Sequence, residues 1–482
     1  MNRTTFIPVF LMCFFGAFIS NLSAQEYKTF DLAKYYTPDI VRNQLDVAGS
    51  SAGLLNSSST SSINISNNNA INYNLNSTFS NYVSTRKMIR TINAGLGFRG
   101  SAGSNQDFQV AINQQSGSFD NSAGIGTSYQ LFNKTSQFLS FGGNINYIYY
   151  STFSNKTNNL NKADRVNDNG FSGNINLYVG IGIGRIETVT DAQQAIYLIE
   201  AFAKNKRLSR DLSTNEIFSL SQEISRVKNK RFLDFRLHLI DEVSKVDSFF
   251  VANNLINKTD ANYFTTLYDI WLYGDKFERK SGSTLELRLS PTLNANNSYT
   301  KKSQEIYIDS LYESKGNSLF SSPNLSLSYQ YEKPFNQKWQ QSVNASLVVE
   351  FTNFKYTSEN LIVNTTINNS NNTKTARAYA SYKLGFYPNT RTNIFAQISQ
   401  NFGYNFYASQ IYNDITLESV QKALSSTTSL NCGTNYYFSP QLRLSATLNI
   451  QNGLQIQYIP GNTYGTNGLT SNFSVGVNYS FF

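Results

Sequence analysis

Apolar residues recur at every second position in many short stretches of this chain, a spacing that predicts strands with one apolar face. Phe171, Ile175, Leu177, Val179, Ile181 and Ile183 alternate with Ser172, Asn174, Asn176, Gly180 and Gly182, and only Tyr178 breaks the polar face. Leu325, Leu327, Tyr329 and Tyr331 repeat the pattern. So do Ala376, Ala378, Ala380, Tyr382, Leu384 and Phe386, and again Leu442, Leu444, Ala446, Leu448 and Ile450. Each stretch has about the 9–11 residues that a tilted strand needs to cross a bilayer. The closing stretch "FSVGVNYSFF" puts Phe473, Val475, Val477, Tyr479 and Phe481 on one face. A closed barrel in a membrane would hold such a strand by pairing it with the first.

Strands are expected near 70–83, 89–100, 119–132, 137–150, 170–184, 283–295, 323–333, 338–354, 374–387, 391–406, 427–438, 441–456 and 469–482. The connections alternate in length. Those at 133–136, 333–337, 388–389 and 439–441 are short, whereas 151–170, 296–321, 355–373, 407–426 and 457–468 are long and polar. Bacterial transmembrane barrels have short periplasmic turns, long external loops and an even number of strands. The rule sends the last strand toward the periplasm and asks for one more strand near the N-terminus, within 53–66. The expectation is therefore an all-β transmembrane antiparallel barrel of about 14 strands with an α-helical insert. Counts of 12 and 16 stay open, because 108–112 is a weak segment.

The insert is where the period changes. Between 185 and 282 the apolar residues fall at helical spacing: Ala192, Ala195, Ile196, Ile199 and Phe202, then Ile217, Leu220, Ile224 and Val227. Leu233, Leu237, Ile240, Val243 and Val246 follow, and then Phe264, Leu267 and Trp271. Ser213-Thr214-Asn215-Glu216 reads as a capping box, Thr259-Asp260 as a helix start and Gly274 as a stop. This segment has 15 basic and 14 acidic residues, 29 of the 71 charged side chains in the chain. It lies between a downward and an upward strand, so it is expected on the periplasmic side as a water-soluble subdomain. A plug folded into the lumen is the alternative.

Composition agrees with a barrel. The chain is rich in Tyr (31) and Phe (35) and only 15% charged, and no apolar run in the mature part reaches the roughly 20 residues of a spanning helix. Near the N-terminus, Arg3, the apolar run 6–19 and the small residue Ala24 predict a signal peptide over 1–24. Its removal takes the formal charge from +9 to +8. Residues 25–66 are then a periplasmic lead or a hatch, 67–184 and 283–482 the two parts of the barrel, and 185–282 the insert.

Candidate chemistry is sparse. One histidine, His238, and one mature cysteine, Cys432, leave no His/Cys metal cluster and no cofactor to expect. His238 is read as a helix-surface or half-buried residue, with a proton-relay or metal residue as the alternative. No acidic or histidine cluster falls on the barrel strands, so an outer-membrane hydrolase is the least favoured class and no catalytic residue is named. The charges expected to face the lumen are Arg288, Arg377, Lys383 and Arg443, against Glu286 and Glu350. They would make a mildly basic, anion-favouring interior unless they pair off. Arg226, Lys228, Lys230 and Arg231 form a basic run suited to an anionic periplasmic partner such as a protein or cell-wall polymer, or simply to a helix C-terminus.

The signal peptide, the alternating segments, the turn asymmetry and the terminal "NYSFF" together resemble Gram-negative outer-membrane β-barrel proteins. Stretches such as "GRIETVTDAQQAIYLIE" and "KNKRFLDFRLHLIDEV" are similar to uncharacterised barrels with a helical periplasmic insert, a likeness that implies no activity. The resemblance implies outer-membrane lipid and the barrel assembly machinery as partners, with no nucleic acid. It also implies that Tyr479, Phe481 and Phe482 belong to the assembly signal, although Phe482 falls out of phase with the apolar face. The functions to weigh are a channel or porin for small solutes and a structural protein that anchors the insert to a partner.

Overall fold

The computed structural model describes residues 29–61, 64–107, 112–158, 160, 162–229, 235–306, 310–412, 415–417, 421–459 and 462–479. The expected signal peptide, Lys230, Arg231, Phe481 and Phe482 lie outside these residues.

Six strands precede the insert: β1 (Ile40–Ser61), β2 (Asn64–Ser84), β3 (Met88–Asp107), β4 (Ile112–Phe132), β5 (Gln137–Asn158) and β6 (Ala163–Thr188). Four helices follow: α1 (Thr190–Lys204), α2 (Thr214–Lys228), α3 (Phe235–Ala252) and α4 (Ala261–Tyr273). The sheet resumes with β7 (Lys280–Ser290), β8 (Thr292–Gln304), β9 (Ser310–Ser321), β10 (Asn324–Pro334), β11 (Trp339–Asn360) and β12 (Thr365–Asn389). It ends with β13 (Thr392–Tyr412), β14 (Ile415–Leu417), β15 (Gln421–Tyr437), β16 (Leu442–Ile459) and β17 (Asn462–Tyr479).

All ladders are antiparallel between chain neighbours. Three pairs of segments continue one another. β7 and β8 share β6 as partner, β9 and β10 share β11, and β14 and β15 share β13. The described segments therefore make fourteen traverses, the number expected. The missing N-terminal strand is β1, which starts earlier and runs longer than 53–66. Its middle, Ala48–Gly53, holds only small residues and so shows no apolar period.

The long polar loops are a correction. β5 and β6 stay paired from Gln137↔Ile183 to Thr157↔Ala163, and β11 and β12 from Trp339↔Phe386 to Asn360↔Thr365. The 26 residues of β6 are over twice what a bilayer crossing needs. Beyond the membrane both faces of a ribbon meet water, so side-chain alternation stops while the backbone ladder goes on. Among the described residues no ladder joins β1 to β17; each is paired on one side, with β2 and β16 respectively. Phe473 and Leu469 on β17 are 71% and 73% exposed, against 48% for Leu289 inside the sheet.

The apolar phase read from the sequence faces outward. Leu177, Val179, Ile181, Leu285, Leu287, Leu325, Leu327, Leu347 and Val349 are all exposed on that surface. An apolar band of this extent needs lipid to cover it. Aromatic pairs gather at the short-turn end: Trp339 with Phe386 at 4.5 Å and Tyr436 with Phe438 at 4.8 Å between ring centroids. This is the placement of an interfacial aromatic belt.

The helices fold on their own core. Ala192, Ala195, Ile196, Ile199, Phe202, Ile217, Leu220, Ile224 and Leu267 are fully buried, as the helical period required. The capping box forms: Ser213 and Glu216 bond reciprocally at the start of α2. Asp260 caps α4 and Gly274 ends it. Two apolar positions depart from the expected stripes. Ile240 is 64% exposed and Phe264 46%, while Phe250 and Tyr263 occupy the core instead. Leu233 and the side chain of Leu237 lie outside the described residues. The described residues of 25–66 depart from the expected lead or hatch. Phe30, Leu32 and Tyr35 complete the helical core, and Ile40 onward is barrel strand.

Candidate functional site at the capped mouth

The short turns 85–87, 133–136, 335–338, 390–391 and 438–441 all lie at one end of the sheet, where β6 enters the insert and β7 leaves it. A glycine elbow sets the insert's direction. Gly184 and Gly282 have φ of 91° and 119°, a region that L side chains rarely adopt. A Cβ at Gly184 would come within 2.0 Å of the Ser283 carbonyl oxygen, and one at Gly282 within 2.1 Å of the Arg185 carbonyl oxygen.

Past this elbow the β6 tip leaves the plane of the wall. Arg185 crosses the β4–β5 turn, lies over Phe132 at 4.8 Å and donates to the Thr85 carbonyl at 2.8 Å and to Ser84 Oγ at 3.1 Å. β4 and β5 separate these partners in the sheet, so the tip bridges turns that are not neighbours. Glu187 gathers the junction. It accepts from Arg86 at 3.0 Å and Thr37 at 3.2 Å and pairs with Arg185 at 2.9 Å. Arg86 in turn covers Tyr36 at 4.2 Å, and Tyr35 donates to the Ser221 carbonyl on α2 at 3.2 Å. Burial pushes the Tyr35 hydroxyl pKa up. The N-terminal segment is thus a strap between the helical core and the β2–β3 turn.

On the opposite flank the fastening is Arg279. It is 1% exposed and donates to Gln340 Oε1 at 3.1 Å, Gln193 Oε1 at 2.6 Å, the Asn336 and Trp339 carbonyls at 2.9 Å each, and the Gln337 carbonyl. Its guanidinium lies 5.0 Å from the Tyr387 ring centroid. No carboxylate pairs with it among the described residues, and desolvation by burial lowers its pKa. Two further contacts hold the insert down. Arg391 of the β12–β13 turn pairs with Asp269 and covers Tyr273 at 3.9 Å, and Phe277 packs against Tyr387 and Tyr437. The insert therefore reaches turns spread around the mouth and sits across it as a cap. The sequence reading missed Arg279 and Arg391; nothing in the pattern distinguishes them from the chain's other arginines.

The expected lumen charges lie on the polar face, and most of them pair. Arg288 forms a bidentate contact with Glu286 at 3.0 and 2.9 Å and lies over Tyr178 at 4.3 Å. Tyr178, the residue that broke the sequence pattern, is thus an inward platform, with its hydroxyl on Ser128 at 2.7 Å. Glu286 also accepts from Ser140. Arg377 approaches Glu350 at 3.5 Å. Lys383 has the Phe395 ring at 4.9 Å and no carboxylate among the described residues, and Arg443 Nε has no hydrogen-bond partner. Of the basic run, the two described residues are both paired. Lys228 pairs with Asp191 at 3.5 Å and Asp275 at 3.0 Å inside the insert, and Arg226 with Glu223 at 3.3 Å.

No family model and no curated protein matches the chain. Solved structures resemble it loosely. The translocator domain of the autotransporter NalP from Neisseria meningitidis is 12% identical, over 83% of this chain and 90% of that one, with a TM-score of 0.29. The Pseudomonas putida toluene transporter TodX is 10% identical over 89% and 94%, at 0.24. The transport unit of the autotransporter AIDA-I from Escherichia coli is 10% identical over 92% and 90%, at 0.23. At these TM-scores nothing about solute or mechanism carries over. The likeness to outer-membrane β-barrels drawn from the sequence holds at the level of architecture, on the strength of the strands themselves.

Proposed function

We propose that this protein is an outer-membrane channel for small polar solutes, with the cap on the periplasmic side. The observation that carries the reading is the contrast between the two faces of the wall. The outer face is apolar, whereas the inner face holds Glu286, Arg288, Glu350, Arg377 and Lys383 among Ser, Asn and Gln. Such a wall suits a water-filled interior. Two ion pairs neutralise four of the charges, and Lys383 and Arg443, set against Glu332 on the same face, leave a weak anion preference. Export follows the N-terminal signal, with cleavage near Ala24, and insertion follows recognition of Tyr479, Phe481 and Phe482 by the barrel assembly machinery.

Single-channel recording in planar bilayers tests this. Discrete steps with a mild anion preference are expected, and deletion of 190–273 should raise the step size. A silent barrel, with and without the helices, would end the channel reading. The second reading is a barrel that anchors the helices for a periplasmic partner. Ile240, Val251, Phe264 and Tyr268, all exposed on α3 and α4, favour it.

A further inference from the structure

Beneath the cap a polar cavity of about 170 Å³ opens between the insert junction and the inner wall, lined by Glu278, Lys280, Glu332, Gln340, Lys383 and Tyr387 among others. Lys280 already pairs with Glu278 at 3.1 Å. The two groups with capacity left are Glu332 and Lys383. One oxygen of Glu332, Oε2, accepts from Gln340 Nε2 at 2.8 Å and from the Ser342 hydroxyl, and Oε1 has no partner among the described residues. Gln340 is itself held by Arg279, so the carboxylate is oriented by a buried chain of hydrogen bonds. Lys383 presents its ammonium with the Phe395 ring on one side, and among the described residues no carboxylate is in ion-pair contact with it.

Register places these opposite charges two strands apart on one face of the wall. Glu332 lies opposite Ser342, and Ser342 opposite Lys383. They share one rung of the sheet with β11 between them, so their backbones stand about 10 Å apart, two strand spacings. We propose that this rung is a binding site for a small zwitterion of the amino-acid type. Its ammonium sits on Glu332 Oε1, its carboxylate on Lys383, and Ser342 lies beneath it. A simple anion would satisfy only Lys383 and a simple cation only Glu332. A molecule with both charges a few ångströms apart satisfies both and restores the counter-charge that each lacks.

The site deepens the channel reading and rests on it for solute access, but binding can be read without conduction. Saturation-transfer NMR on the detergent-solubilised full chain would compare glycine, acetate and methylammonium. Saturable glycine binding is expected, at least tenfold tighter than either half-ligand. Lys383→Gln and Glu332→Gln should each weaken it about tenfold, with heat-modifiable gel mobility retained as the check on folding. Glycine and acetate binding equally well would reduce the site to a cationic patch and overturn the proposal. Absence of saturable glycine binding to the folded native barrel would also overturn it. Glycine binding to a barrel that does not conduct would sink the channel reading and leave the site standing.

Discussion

Replacing Arg279 by methionine removes the side chain that fastens the cap to the β10–β11 turn. All five of its N–H donors are used, two of them on backbone carbonyls of that turn and one on the carbonyl of Trp339, the first residue of β11. Hydrogen bonds from a charged donor contribute about 1.5–3 kcal/mol each in net terms, which taken singly would suggest about 7–15 kcal/mol. That sum overshoots. The buried guanidinium regains several kcal/mol of solvation when removed. The Trp339 carbonyl also keeps the Phe335 N–H at 3.0 Å. Breaking one side of a buried charged arrangement costs about 3–5 kcal/mol. At about 1.4 kcal/mol per decade, the lifted form of the cap should rise roughly 10²–10³-fold. Tryptic cleavage after Lys276 or Lys280 reads that population, since cleavage of a briefly opened form tracks its equilibrium share. The variant should be cut at least 100-fold faster while the barrel keeps its heat-modifiable mobility. Cleavage within threefold of the native rate would refute the fastening. Arg279→Lys should be no better than methionine, because a point charge with three donors cannot span both the turn and Gln193.

Four shorter predictions accompany it. Gly184→Ala meets both a positive φ and a backbone oxygen, so it should cost about 1–3 kcal/mol and loosen the cap in the same proteolysis assay; unchanged cleavage would mean that the elbow is not fixed by glycine. The hydrogen bond from Arg210, together with the Ser213 backbone N–H, holds Glu216 at a pKa of about 2. Its folded pKa is depressed, so its stabilisation is complete above the unfolded carboxylate value of about 4.3 and fades as pH falls toward 2; Glu216→Gln should flatten that part of the acid-unfolding curve followed by Trp271 fluorescence. A cysteine at Lys206 in a Cys432→Ser background should react with a bulky impermeant maleimide only after the outer membrane is permeabilised, and labelling of intact cells would invert the topology. Deleting Phe481 and Phe482 should abolish assembly, and normal insertion of the truncated chain would show that the signal lies elsewhere.

What the sequence determined is what repeats locally. The period of two on β6, β10, β12 and β16 reports which residues meet lipid, because each side chain chooses a face on its own. The helical stripes of α1 and α2 and the Ser213–Glu216 cap are local in the same sense, needing only residues three or four apart. The tertiary structure decided whatever depends on partners distant in the chain. β1 has no apolar period at Ala48–Gly53 and is a strand because β2 offers its edge along nearly the whole length. The polar stretches beyond the membrane remain strand because their neighbours do, although both faces are wet. Arg279 becomes a fastening through carbonyls some sixty residues away, and Glu332 faces Lys383 across β11 through a register that no local pattern carries. Phe30 and Tyr35 join a core formed by residues from 189 onward, so their burial depends on contacts more than 150 residues distant in the chain.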